Sequence, residues 1–144
     1  MAFNFKLHCL SAFREFLVYH HKSLEFRAKV FAAIIAAKLD PDDDDFAVLS
    51  DIASEIYEGD VTRQNFLVKA TKEYVAKVKK KDHLTLDALL LSIDKEIKQN
   101  KRYANKIDFA HLRRLISGCD EETLIQQRVY EFLISEVKTH LQIS

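Results

Sequence analysis

Between Val30 and Ala37 the chain reads VFAAIIAA, eight apolar residues in a row. The run is far short of the roughly 20 residues that cross a bilayer. Its larger side chains are spaced by alanine, the strongest helix former, and the segment is predicted as a helix over 23–39. After Lys29 that helix is apolar on most of its circumference, and a helix with so little polar face belongs at the centre of a core. The elements around it must also be helices. Only 2 Gly and 1 Pro occur in 144 residues, too few to supply the turns of an all-β chain.

Apolar stripes at helical spacing predict seven helices, giving an all-α compact bundle of antiparallel helices in a single domain over 1–144. The first carries Leu10, Phe13, Phe16 and Leu17 and ends near His20 and His21. The third starts at Asp40, with Asp40 as cap and Pro41 in the first helical position. Its inward residues are Phe46, Leu49, Ile52, Ala53 and Ile56, and Gly59 stops it. The fourth opens at Asp60 or Thr62 and buries Phe66, Leu67, Ala70, Tyr74 and Val78. Thr85 caps a fifth helix with Leu86, Leu89, Leu90, Ile93 and Ile97 inward, and residues 98–106 read as an exposed connection. Asp108 caps a short sixth helix that Gly118 closes, the one place where a hinge could sit. The last helix is expected to bury Leu124, Ile125, Val129, Phe132, Leu133 and Val137. Short turns make successive helices antiparallel neighbours.

Little in the sequence points to catalysis. Two glycines cannot build a phosphate-cradling loop, and Cys9 and Cys119 lack Cys-x-x-Cys spacing, so both are expected as reduced, buried thiols. The apolar N-terminal stretch is broken by Lys6, Arg14 and Glu15, unlike the core of a secretory signal, and the expected compartment is the cytosol. His20 and His21 suit a helix carboxyl end. Glu136 and His140, four residues apart, share a helix face, but a pair alone makes no metal site. No enzymatic activity is expected.

Charge is the feature that points outward. Lys+Arg and Asp+Glu both number 22, yet residues 1–61 hold 6 and 11, a balance of −5. Residues 62–116 hold 14 and 6, or +8, and residues 117–144 hold 2 and 5, or −3. The basic residues Lys77, Lys80, Lys81, Lys98, Lys101 and Arg102 fall at the ends of the fourth and fifth helices. They predict a patch that docks an acidic protein partner or a second copy of the chain. Nucleic acid is disfavoured, because lysine dominates the patch and no recognition helix or stacking aromatics accompany it.

The acidic run offers a second reading. Asp40, Asp42 and Asp44 fall at positions 1, 3 and 5 of a calcium loop, without the Gly at position 6 or the Glu at position 12. No cofactor is expected beyond weak divalent-cation binding there. The segment AIIAAKLDPDDDDFAVLSDIASEIY, residues 33–57, resembles the TerB-like family of tellurite-resistance-associated all-helical domains, with Ala36, Ala37, Asp40, Pro41 and Asp42 carrying the match. The resemblance implies an all-helical interaction domain, with acidic residues near a divalent ion or in a stress-response role.

Overall fold

The computed structural model describes residues 22–80, 84–118 and 120–142. Expectations for the first helix with Cys9, His20 and His21, for Lys81 and for Cys119 lie outside these residues. Six α-helices are described: α1 (Lys22–Ala36), α2 (Asp43–Ile56), α3 (Val61–Lys79), α4 (Leu86–Gln99), α5 (Phe109–Leu115) and α6 (Asp120–Gln142). A 3-10 helix over Lys101–Lys106 lies between α4 and α5. The described residues form an all-α bundle with no strand, and no helix among them is long and apolar enough to cross a membrane.

The apolar helix does sit at the centre. Every residue of α1 from Val30 to Ala36 is buried, with Ile34 and Ile35 fully so, and α3, α4, α5, α6 and the 3-10 helix all pack on it. This changes the expected neighbours. Because α1 has no free apolar side left to share, α3 and α4 each pack on α1 rather than pairing face to face, and α2 packs on α3 and α5. The stretch read as an exposed connection contributes to the core as well: Tyr103 stacks on Phe26 at 4.8 Å between ring centres, and Ala104 is buried.

Helix boundaries follow the local chemistry. Asp60, Thr85 and Asp108 accept hydrogen bonds from the first-turn N–H groups of α3, α4 and α5, satisfying donors that have no partner inside the helix. α2 ends at Ile56 with Tyr57 as its cap, and Gly59 turns the chain two residues beyond the cap at φ +79°, a conformation that glycine adopts without strain. Gly118, at φ +122°, is equally constrained, since a Cβ there would also meet the Glu122 carboxylate. The start of α2 differs from expectation. Its cap is Asp42, two residues on from Asp40, because Asp42 and Asp45 form a reciprocal capping box: Asp45 N–H donates to Asp42 Oδ1 at 3.2 Å and Asp42 N–H to Asp45 Oδ2 at 2.9 Å.

The last helix buries Val129 and Leu133 and packs Phe132 and Val137 against the core as expected, but its first turn differs. Leu124 and Ile125 are half exposed, at 51% and 48%, while Gln126, Val129, Leu133 and His140 are buried. Gln126 explains the inward turn of a polar residue. Its Nε2 donates to the carbonyls of Ile34 and Leu115 at 3.0 Å each, and its Oε1 accepts from Ser117 N–H at 2.9 Å. Both carbonyls lie in the last turns of helices, α1 and α5, where intrahelical partners run out. Gln126→Leu would bury the same volume and strand three backbone groups, so urea denaturation should show a stability loss of roughly 3 kcal/mol.

Candidate functional site

The acidic turn between α1 and α2 is tied inward. Lys38 and Asp45 are both buried, and Lys38 Nζ reaches the two Asp45 oxygens at 3.1 and 3.0 Å, with Ser117 Oγ at 3.3 Å. Burial works against the Lys38 ammonium. The hydrogen bond to Asp45 and the charges of Asp45, Asp42 and Glu122 outweigh it, holding the group above its ordinary 10.5. With Asp42 used as the helix cap and Asp44 exposed, Asp40, Asp42 and Asp44 do not bring three ligand atoms to one point.

Beside this turn lies a cleft of about 550 Å³. Leu39, Pro41, Phe46, Val75 and Ala76 make its apolar lining, and Asp40, Asp43, Lys72 and Lys79 its charged lining. Two turns of α3 separate the two lysines and place both on one face. Lys72 extends over the Phe46 ring, with Nζ 5.3 Å from its centre. Burial lowers the Lys79 ammonium below its ordinary value, against the opposing charges of Glu122 and Asp40. Neither lysine forms an ion pair among the described residues. Leu39 stands 82% exposed at the edge of the cleft.

The structure divides the expected basic patch. Lys77 and Lys80 lie at the carboxyl end of α3, before α4 begins, while Lys98, Lys101 and Arg102 lie at and beyond the far end of α4. Fourteen residues at 1.5 Å each make α4 roughly 20 Å long, so one compact ligand cannot span both groups. Lys77 Nζ sits over the Tyr74 ring at 5.8 Å. Lys98 is engaged with Asp94 at 3.0 Å.

That last pair belongs to a cluster not legible in the sequence. Asp94 of α4 meets Glu136 and His140 of α6, and one ligand atom from each lies within 4.8 Å of the others. His140 Nε2 is 3.2 Å from Glu136 Oε2 and 3.5 Å from Asp94 Oδ1, and His140 itself is only 7% exposed. The hydrogen bond from Glu136 holds Asp94 at about 2, with help from Lys98 and His140 and against burial. Burial, followed by the proximity of Asp94, pushes Glu136 above the ordinary carboxyl range. The helical spacing of Glu136 and His140 was visible in the sequence, but Asp94 arrives from 42 positions earlier only through the packing of α4 against α6.

Comparison with protein-family models, curated proteins and solved structures finds no match to this chain.

The Lys38–Asp45 pair gives the acidic turn a pH-dependent test. Lys38→Met leaves a buried carboxylate unpaired and should cost roughly 3–5 kcal/mol in denaturant unfolding at neutral pH. In the unaltered protein the Lys38 group is raised on folding, so its contribution is complete below 10.5 and lost as pH rises through its elevated value.

Proposed function

We propose that this chain is a non-catalytic helical interaction domain that docks an acidic segment of a protein partner in the cleft between the acidic turn and α3. The observation that carries this reading is the pair of exposed cations Lys72 and Lys79, which share one wall of the cleft and form no ion pair among the described residues. Lys72 supplies a second positive group on the same wall, and Phe46, Val75 and Ala76 supply apolar surface for an adjoining anchor residue. Such a centre of apolar contact edged by charge is the usual composition of a docking site. Lys77 and Lys80 extend the positive field along α3 and favour encounter with an acidic partner.

The test is affinity capture from an extract of the native host at low salt, with bound proteins identified by mass spectrometry. Lys72→Glu/Lys79→Glu should release the partner while the far-ultraviolet spectrum stays helical. Lys98→Glu/Lys101→Glu, at the opposite end of α4, should retain it. Identical capture by both double variants would remove the cleft as the docking site. A concentration-dependent dimer in sedimentation, lost only in the first variant, would identify the occupant as a second copy.

A further inference from the structure

We infer that Asp94, Glu136 and His140 form a binding site for one divalent transition-metal ion, zinc being the best match, at the seam between α4 and α6. Three features of the cluster argue for it. The donors are two carboxylates and an imidazole nitrogen, a set that suits zinc and its first-row neighbours, where calcium and magnesium take oxygen alone. The spacing is right: a tetrahedral ion with bonds of about 2.05 Å needs its ligands roughly 3.3 Å apart. His140 Nε2 already lies 3.2 Å from Glu136 Oε2 and 3.5 Å from Asp94 Oδ1. The charge also balances, since two carboxylates neutralise a divalent cation in surroundings that are largely closed to water, with side-chain exposures of 9%, 14% and 18% for His140, Asp94 and Glu136.

The ligands are held from outside as well. Lys98 Nζ binds Asp94 Oδ2 at 3.0 Å, leaving Oδ1 as the oxygen turned to His140, so Asp94 is oriented as a one-oxygen ligand with an outer partner, a common arrangement around protein metals. Glu136 and His140 are one helical turn apart on α6, and Asp94 lies between the fully buried Ile93 and Ile97 positions of α4. Both carriers are therefore rigid core helices. With three protein ligands, the fourth position of a tetrahedral ion is left for water or for a donor from another molecule.

Hydrogen bonding alone serves the cluster poorly. One Nε2 faces Glu136 Oε2 and Asp94 Oδ1 and has at most one proton to give, while Lys98 serves only the outer Asp94 Oδ2. A single cation at the centre satisfies all three groups at once. The site is separate from the α3 cleft, and its failure or success leaves the docking reading untouched.

The probe is the ion itself. The chain is freed of metal with a chelator and titrated with Co²⁺, followed by visible ligand-field absorption, and with Zn²⁺, followed by calorimetry. The expected result is one ion per chain, intense tetrahedral Co²⁺ bands, and a rise of several degrees in Tm with zinc in excess. Glu136→Gln keeps the side-chain shape and a donor for Asp94, so the fold is retained, and it should weaken binding roughly tenfold or more. Asp94→Asn should do the same, and Asp42→Asn/Asp44→Asn at the acidic turn should leave the affinity unchanged. Absence of heat and of absorption at millimolar ion would overturn the assignment. Binding that survives Glu136→Gln and Asp94→Asn unchanged, or that disappears only in the acidic-turn variant, would overturn it equally.

Discussion

The structure is organised by the burial of α1 on every side. From Val30 to Ala36 no residue of that helix is free for solvent, so the rest of the chain has to supply walls in several directions. Burying side chains of this size is worth about 1.5–3 kcal/mol each, and Phe26, Ile34 and Ile35 gain it in full only if α3, α4, α5 and α6 are all in place. Removal of any one wall exposes part of the same helix. The bundle is accordingly arranged around one element, and chain order is a poor guide to which helices touch.

An apolar cylinder does not by itself say where along its length each neighbour must stop. The few polar groups of α1 and its extension do. Glu25 accepts from the Tyr74 hydroxyl of α3, Arg27 donates to the Tyr57 hydroxyl at the end of α2 at 3.0 Å, and Lys29 reaches Ser92 and Glu96 of α4 at 2.9 and 2.8 Å. Lys38 then secures Asp45 of α2. Each contact joins α1 to a different point on its surroundings. Because a buried polar group left unpaired costs about 1–3 kcal/mol, a neighbour that slips by one turn loses its partner, and the register is fixed where hydrophobicity alone would leave it loose.

Local signals in the sequence were sufficient for what local chemistry decides. The all-α class, the central position of the Ala-rich helix and the caps at Asp60, Thr85 and Asp108 were legible, because each depends on residues within one or two turns. The start of α2 moved from Asp40 to Asp42 because Asp45 prefers a place that serves two purposes, closing the capping box and meeting Lys38. The first turn of α6 differs because a polar residue takes the inward place there: Gln126 is buried while Leu124 and Ile125 are exposed, and Val129, Phe132, Leu133 and Val137 keep the side that the sequence indicated. The basic residues fall into two groups because Lys77 and Lys80 close α3 while Lys98, Lys101 and Arg102 lie at and beyond the far end of α4, with the length of α4 between them. Asp94 could not be connected to Glu136 and His140 before the helices were packed.

What a buried polar residue is paired with separates framework from function in this fold. Gln126 spends its donors and acceptor on backbone groups that helix ends leave open, and Lys38 and Asp45 are matched to each other and to a capped helix. Replacing any of these strands a group elsewhere, which is sufficient reason for a polar side chain to be there. Glu136 and His140 serve no helix end or cap; their polar partners are each other and Asp94. Their carboxylate and imidazole converge with Asp94 on one point, and apolar side chains of similar volume at a buried ionic site are often neutral or stabilising. Two carboxylates brought together with an imidazole at a largely closed helix seam are a poor solution to packing and a good one to holding a cation. The same contrast applies at the cleft, where Lys72 and Lys79 stand among apolar residues without an ion pair among the described residues while the nearby Lys38 is saturated. Both sites thus involve helices that pack on α1, α3 at the cleft and α4 with α6 at the cation cluster, so a ligand can be met there without exposing the core helix that holds the bundle together.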